Sequence, residues 1–330
     1  MYESSRNPRE WRSYSDIETA IIEEQYQKKQ PEALLDDYRV NFKHFIQLSN
    51  HNEKDQCPVR HIIKRRTDNR LREARFMPDP VLLSQSFTDA RHRASFLDTA
   101  GQFFNLSVAT PSNGIPQDTL VERAAEDIVI EAREVRKEKE GKWMAEQLLK
   151  VKDKNLHEIA KCCARLYCME SFLYKKMNEI MRIGIDETYQ ALWQNKLSTF
   201  GPFAILLFNS QRTLALPAAA KNTTVYCGVN LSSEQIEQYR RITSLPEANR
   251  KCDQFRAFTS TSRNKEKAQE FGNVLFVIEI AEVDGCDVSL YSEFDEEEYL
   301  LEPRFYFSIK SCLFDNTINK WITILRPLNR

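Results

Sequence analysis

The sequence predicts an α+β protein, with helices in the middle of the chain and strands toward its end. Residues 156–183 place apolar side chains at helical spacing, and Gly184 follows where such a helix would end. After residue 220 the apolar spacing shifts toward two, in segments rich in β-branched and aromatic residues, which is typical of strands. Glycine is scarce, at 8 of 330 residues, and no glycine-rich phosphate loop of the GxGxxG or GxxxxGKS/T pattern occurs.

The elements of the carboxyl-terminal half follow from local composition. Two short segments, SSEQIEQYRRI and NKEKAQEF, have capping residues at their starts and predict helices. The predicted strands around them are NTTVYCGV, FRAFTSTS, VLFVIEIAEV, RFYFSIK and TINKWITILR. This half is therefore expected to have a mostly β core.

Composition divides the chain into four segments. Residues 1–76 mix alternating aromatic stretches with one amphipathic segment and end in a basic patch. Residues 77–117 are rich in proline and polar residues, which predicts a linker or an extended arm. Residues 118–155 carry charges of both signs and predict a solvated helical segment. Residues 156–330 make up the remaining domain.

Charge and hydropathy exclude several classes of partner. The chain has 47 basic and 48 acidic residues, so its net charge predicts no direct nucleic-acid partner. It has no apolar run of the about 18 residues that a membrane span needs, and its start, MYESSRNPREWRS, lacks the apolar core of a signal peptide. We therefore expect an intracellular protein, cytoplasmic or nuclear, whose eight cysteines are thiols.

No metal site is expected. The histidines and the cysteine between residues 44 and 61 lack the second ligand pair of a zinc finger. The histidine and cysteines between residues 157 and 168 would be spread over several faces of a helix.

Four consecutive carboxylates, Asp295 to Glu298, precede an apolar strand segment. Side chains alternate along a strand, so Glu296 and Glu298 are expected on one side and Glu297 on the other. Two carboxylates that share a site repel each other unless a cation lies between them, which favours a positively charged substrate. The alternative is an acidic, solvated turn.

The carboxyl-terminal half resembles the arginine-type mono-ADP-ribosyltransferases over about residues 150–330. The resemblance is carried by CMESFLYKKMNEIMR, FGPFAILLFNSQRTLALP, FRAFTSTSRNKEKAQEFGNVLFVIEI and VSLYSEFDEEEYLLEPRFYFSI. Ser260 opens the S-T-S motif of the family, and Glu296 and Glu298 are the outer members of its E-x-E motif. The resemblance implies a helical part followed by a mostly β core around an NAD cleft, NAD as co-substrate without a metal, and a protein acceptor with an exposed arginine.

The chemistry of transfer suits these residue types. Glu298 would stabilise the positive charge that develops on the ribose, as carboxylates do in glycoside chemistry. Ser260 would orient that carboxylate. Glu296 would receive the acceptor guanidinium and help to remove its proton.

The sequence departs from the family at its first motif, an aromatic residue followed by Arg and Gly. The matching segment is VYCGV, with Cys227 in the arginine position and Gly228 retained. By the resemblance, the cofactor-binding residues are Cys227, Gly228, Ser260, Phe271 and Glu298. The missing guanidinium would have supplied hydrogen bonds worth about 1.5–3 kcal/mol.

The first 76 residues resemble a WWE domain, a small α+β fold that binds ADP-ribose units of poly(ADP-ribose). The matching stretches are EWRSYSDIETAIIEEQY, YRVNFKHFIQLSN and VRHIIKRR, and in this match Trp11 serves the core. The resemblance assigns Tyr14, Tyr38, Gln47 and Arg60 to the ligand pocket. Aromatic faces and an amide suit an adenine, and arginine suits a pyrophosphate. WWE domains also serve as protein-interaction modules.

Three functions follow from the two resemblances. The first is an NAD-dependent protein-arginine mono-ADP-ribosyltransferase whose amino-terminal module binds ADP-ribose or poly(ADP-ribose). The second is a catalytically impaired protein of the transferase fold that acts as an ADP-ribose-binding or interaction protein because of Cys227. The third is a poly(ADP-ribose) polymerase, which the sequence disfavours, since that class has His and Tyr where this chain has Cys227 and Ser260.

Overall fold

The computed structural model describes residues 1–3, 10–52, 54–62, 95–106, 116–184, 187–214, 223–250, 252–280, 284–292 and 294–328. It confirms the predicted α+β class. A small amino-terminal unit with its own sheet is followed by a helical part, and a larger sheet completes the chain.

The amino-terminal unit packs one helix beside a four-stranded antiparallel sheet. Ser15 caps the helix because its hydroxyl accepts from the N–H of Glu18, and the carboxylate of Glu18 accepts from the N–H of Ser15 at 3.0 Å. The elements are β1 (Tyr2–Glu3), β2 (Trp11–Arg12), α1 (Asp16–Gln27), β3 (Glu32–Leu34), β4 (Tyr38–Asn41), β5 (Ile46–Ser49) and β6 (Gln56–Pro58). Strands β3 to β6 pair in chain order, and β1 pairs with β2.

The helical part surrounds one long helix. The helices are α2 (Phe96–Phe103), α3 (Gln117–Glu134), α4 (Glu138–Leu149), α5 (Leu156–Cys168), α6 (Phe172–Ile183) and α7 (Gln190–Leu214). Helix α7 packs against α2, α3, α5 and α6. Its buried Phe200, Phe203 and Phe208 each contribute about 1.5–3 kcal/mol relative to an exposed side chain.

The charged segment 118–155 differs from its prediction as a solvated helix. It forms two helices, α3 and α4, that pack closely on each other, since a Cβ atom on Gly141 would lie 2.2 Å from the Cβ atom of Ala132. Apolar residues such as Val121 and Ile128 are buried, and so are the carboxylates of Asp127, Glu131 and Glu140. The segment 77–117, predicted as a linker or extended arm, contains helix α2.

Residues 156–183 form two helices where the periodicity suggested one. Gly184 is the cap residue at the end of α6, as its position in the sequence predicts. The break lies at residues 169–171, where the N–H of Glu170 donates to Asp16 of α1 at 2.6 Å. A side chain from the amino-terminal unit thus satisfies a backbone group at this corner.

A second contact joins the amino-terminal unit to the helical part. The carboxylate of Asp36 accepts from the N–H groups of Lys139 (2.8 Å) and Glu140 (3.2 Å), in the first turn of α4. These N–H groups have no partner within their own helix, so Asp36 acts as a cap from outside it. The indole N–H of Trp143 donates to Glu24 at 2.9 Å. The buried residues of both parts form one continuous core.

The large sheet has eight strands in the order β11-β12-β9-β7-β10-β14-β13-β8. Its elements are β7 (Thr223–Val229), α8 (Ser233–Ser244), β8 (Asp253–Phe255), β9 (Thr259–Ser262), α9 (Lys265–Gln269), β10 (Val274–Ile280), β11 (Gly285–Asp287), β12 (Glu298–Leu301), β13 (Phe305–Asp315) and β14 (Lys320–Pro327). Strands β10 and β14 are parallel, and the other adjacent strands are antiparallel. One face packs on the helical part through Leu300 and Cys286. The other face buries a second core that contains Val225 and Phe276.

Candidate active site

The acidic run forms a turn that leads into strand β12. Glu298 is the first residue of that strand, and Glu297 before it adopts the left-handed conformation with φ of 49°. Glu296 is 1% exposed and Glu298 is 0% exposed, whereas Glu297 is exposed. The outer two glutamates are therefore buried, and a left-handed turn residue separates them where strand alternation was expected.

The strand register places serines beside Glu298. Glu298 pairs directly with Ser262 of β9, and Ser262 also pairs with Tyr226 of β7. Directly opposed residues share a face, so these three side chains lie on one face of the sheet. Ser260 pairs with Leu300, which is the next position on that face. The structure thus brings Ser260 to a neighbouring position, and Ser262 is the serine directly opposite Glu298.

Ser262 is a site residue that the sequence analysis missed. Its hydroxyl donates to the backbone carbonyl of Glu296 at 2.7 Å and accepts from the N–H of Asn264 at 3.0 Å. The side chain therefore ties the turn that carries Glu296 to the end of β9. The signal was present in the sequence, because Ser262 is the last residue of the S-T-S motif.

Cys227 lies on the other face of the sheet. It follows Tyr226 on β7, so its side chain points away from the face that carries Glu298. The side chain is 0% exposed and packs in the second core with Phe276, its partner on β10. Burial raises the pKa of this thiol to about 12, although the charge of Arg182 acts in the opposite direction. Cys227 is thus a neutral, buried thiol.

Arg182 is a second residue that the sequence analysis did not single out. It lies in the last turn of α6, and its positive charge lowers the pKa of Cys227 against the larger opposite effect of burial. In the segment CMESFLYKKMNEIMR, nothing in the sequence distinguishes this arginine from the other basic residues.

Gly228 and Phe271 are adjacent in the structure. A Cβ atom on Gly228 would lie 2.3 Å from the carbonyl oxygen of Ala268 and 2.9 Å from the Cβ atom of Phe271. Glycine is therefore required for the close approach of α9 to β7. The two predicted cofactor-binding residues lie side by side at this contact.

Three of the predicted pocket residues of the amino-terminal unit lie together. The hydroxyl of Tyr14 donates to the side-chain oxygen of Gln47 at 2.9 Å, and the rings of Tyr14 and Tyr38 are 5.8 Å apart. The hydroxyl of Tyr38 donates to Glu18 at 2.6 Å. Burial raises the pKa of both phenols, so they remain neutral donors.

Arg60 is exposed and lies against Trp11, with the guanidinium carbon 4.1 Å from the ring centroid. Tyr2 connects this pair to the tyrosine cluster, since it bridges to Val59 and its ring lies 5.1 Å from that of Tyr14. Sequence reasoning assigned Trp11 to the core and missed Tyr2. In the structure both are half-buried beside the predicted pocket residues.

The described residues contain neither a metal-binding cluster nor a membrane-spanning helix. Among them, no group of three or more His, Cys, Asp or Glu side chains is arranged to hold a metal ion. No helix within the described ranges is long and apolar enough to cross a membrane. All eight cysteines lie in these ranges and are thiols.

The two buried carboxylates are the outer members of the E-x-E motif by which the sequence resembles the ADP-ribosyltransferase class. The sequence model of the NAD:arginine ADP-ribosyltransferase family matches residues 115–328, and the chain belongs to this family. Its amino-terminal unit, residues 1–61, matches the WWE domain model. Both resemblances are thereby confirmed: the chain is an ADP-ribosyltransferase with a WWE domain, and NAD is the co-substrate of its family. The first match begins at residue 115, so it includes the charged helices α3 and α4.

Solved structures similar to this chain include a bacterial ADP-ribosyltransferase and two bacterial exoenzymes. HopU1 of Pseudomonas syringae pv. Tomato DC3000 has 18% identity and a TM-score of 0.44 over 64% of this chain and 95% of its own. Exoenzyme S from Pseudomonas aeruginosa, solved with human 14-3-3 protein beta and carba-NAD, has 16% identity and a TM-score of 0.41 over 64% and 89%. The Clostridium limosum C3 exoenzyme has 14% identity and a TM-score of 0.40 over 61% and 95%. Comparison with curated protein sequences gives no match.

Proposed function

We propose that this chain transfers single ADP-ribose units from NAD to arginine side chains of proteins inside the cell. The observation that carries the proposal is the pair of buried carboxylates, Glu296 and Glu298, separated by one left-handed residue and faced by Ser262. A buried carboxylate acts more strongly on a developing positive charge than one in water. The thiol state of the eight cysteines agrees with an intracellular location.

Glu298 acts on the donor. Its carboxylate lies beside the ribose, accepts from a ribose hydroxyl and stabilises the charge that builds up as the bond to nicotinamide breaks. Nicotinamide leaves with the bonding electron pair. Ser260, one position along the same face, orients the carboxylate, and Ser262 holds the adjacent turn.

Glu296 acts on the acceptor. A guanidinium has a pKa above about 12 and is a poor nucleophile while protonated. Glu296 binds it and takes one proton as a guanidine nitrogen forms its bond to the ribose carbon. The products are ADP-ribosyl-arginine, nicotinamide and one proton.

Gly228 and Phe271 form one wall of the donor site, at the close contact of β7 and α9.

The WWE domain binds ADP-ribose units in this proposal, on free chains or on modified proteins. Tyr14 and Tyr38 present their rings to the adenine, and Gln47 presents its amide. Arg60, exposed on Trp11, binds the pyrophosphate. The domain thereby brings the transferase to proteins that already carry ADP-ribose.

One observation favours a second function, an ADP-ribose-binding protein without turnover. Cys227 is neutral, fully buried and turned away from Glu298, so this position contributes no hydrogen bond to the donor. In that case the function of the chain is the binding of ADP-ribose by its WWE domain.

Incubation with labelled NAD and polyarginine distinguishes the two functions. A transferase labels polyarginine but not polylysine, and Glu298→Ala abolishes the label while calorimetry still detects ADP-ribose binding at the WWE domain. A parent protein that binds ADP-ribose and labels no acceptor supports the second function and contradicts the first.

A further inference from the structure

Polar side chains at the start of α9 form hydrogen bonds with the turn that carries Glu296. The ammonium of Lys267 lies 3.2 Å from a carboxylate oxygen of Glu297 and 3.3 Å from Asp295, and it also donates to the backbone carbonyl of Asp295. The side-chain N–H of Asn264 donates to the same oxygen of Glu297 at 2.9 Å. We call Lys267 and Asn264 the turn clamp.

The clamp is anchored on the helix side. The side-chain oxygen of Asn264 accepts from the N–H groups of Glu266 (3.0 Å) and Lys267 (3.2 Å), so Asn264 both caps α9 and binds the turn. The adjacent N–H of Arg263 donates to the backbone carbonyl of Glu297 at 3.0 Å. Arg263, Asn264 and Lys267, in and just before this short helix, therefore each donate to Glu297 of the turn.

The turn needs such support because Glu297 adopts an unfavourable conformation. Its φ of 49° lies in the left-handed region, which residues with a Cβ atom adopt rarely and only when their surroundings hold them there. If the turn relaxed, Glu296 would be displaced, whereas Glu298 is held by the pairing of β12 with β9 and β11.

We infer that Lys267 and Asn264 are positioning residues that fix Glu296 for the acceptor, through Glu297 and Asp295. The inference rests on the proposed function. It adds that the clamped turn positions Glu296, whereas the pairing of strand β12 positions Glu298. Glu297 is the exposed middle residue of E-x-E. The clamp binds its carboxylate and thereby fixes the turn that separates the two buried glutamates.

The inference predicts different effects on two reactions of NAD. Both break the bond between nicotinamide and ribose, and nicotinamide leaves with the electron pair. In transfer, a guanidine nitrogen forms the new bond and its proton goes to Glu296. In hydrolysis, a water oxygen forms the new bond and its proton goes to solvent. Loosening the turn therefore impairs transfer more than hydrolysis.

The experiment measures both rates, with agmatine as the acceptor for transfer, in the full chain. Lys267→Ala is expected to lower kcat/KM for transfer about ten- to a hundredfold, because small displacements of a catalytic group have effects of this size, and to leave hydrolysis within about twofold. Lys267→Arg retains the charge and the donors and restores most of the transfer. Lys265→Ala, an exposed lysine two residues away on the same helix, is the matched control and retains both rates.

Hydrogen exchange at residues 294–298 gives a readout that needs no turnover. Faster exchange in Lys267→Ala than in Lys265→Ala supports the clamp. This result holds even if the parent chain shows no transfer, so it separates failure of the clamp from failure of the proposed function. Equal exchange in the two variants overturns the clamp. Equal loss of transfer and hydrolysis in Lys267→Ala overturns it as well, because the division between turn and strand would then be absent.

Discussion

The hydroxyl of Ser262 donates to the backbone carbonyl of Glu296 at 2.7 Å, within the buried end of strand β9. This bond fixes the position at which the acidic turn leaves the sheet. Because Ser262 also pairs with Glu298, this one residue of β9 contacts both glutamates of the candidate site, Glu296 through its hydroxyl and Glu298 through strand pairing.

Ser262→Ala is expected to lower both stability and transfer. The variant leaves a buried carbonyl without its hydroxyl donor, which costs about 1–3 kcal/mol of unfolding free energy. Transfer falls about tenfold as the turn shifts. Denaturant titration and the polyarginine assay measure the two effects, with Ser308→Ala on β13 as the control. Parental stability together with parental transfer in Ser262→Ala would refute this role.

Cys227→Arg is expected to destabilise the protein and not to raise its activity. The side chain at this position is fully buried against the apolar second core, and an uncompensated guanidinium there costs several kcal/mol. Thermal unfolding of Cys227→Arg and of the conservative Cys227→Ser tests this prediction. Only the arginine variant is expected to melt well below the parent. An arginine variant of normal stability with increased labelling would mean that position 227 does reach the donor site.

Arg60→Ala is expected to weaken binding of ADP-ribose about ten- to a hundredfold, since a charged hydrogen-bond donor is lost. Isothermal titration calorimetry with ADP-ribose measures the affinity. Lys54→Ala, an exposed lysine of the same domain, serves as the control and should bind as the parent does. Equal affinities of the two variants would remove Arg60 from the pocket.

Glu140 predicts a pH dependence of stability. It is buried where the WWE domain meets the helical part, and burial raises its pKa from 4.5 to about 7, although Lys137 and the N–H of Phe172 favour its charged form. The folded state resists ionisation of Glu140, so stability falls as the pH rises from about 4.5 to about 7 and then levels off.

Glu140→Gln removes this loss. Relative to the parent, the variant is expected to gain on the order of 3 kcal/mol between pH 4.5 and pH 8. Chemical denaturation at a series of pH values measures the gain, and Glu146→Gln, an exposed position on the same helix, shows none. A difference between variant and parent that does not change with pH would contradict the burial argument.

Much of the fold could be predicted from local patterns, because the strands after residue 220 and the caps of α8 and α9 are encoded in short segments. The helical part was less predictable. The contact of Gly141 with Ala132 depends on which helix packs beside α3, and the break near Glu170 depends on Asp16, far away in sequence. Periodicity within one segment carries no information on such partners.

The candidate site shows the same division. The motifs singled out Ser260, Glu296 and Glu298, but the register of β9 against β12 determines that Ser262 faces Glu298. The face on which Cys227 lies likewise depends on the pairing of Tyr226 with Ser262. A motif gives residue types and spacing, whereas register and face arise only when strands pair.

The most direct test of the account compares Glu296→Gln with Glu298→Gln for NAD hydrolysis and for transfer to polyarginine. We expect Glu298→Gln to lose both reactions, and Glu296→Gln to lose transfer about a hundredfold or more while retaining hydrolysis, because only the acceptor needs its proton removed. Full hydrolysis and transfer in Glu298→Gln would contradict the assignment of the buried pair to donor and acceptor.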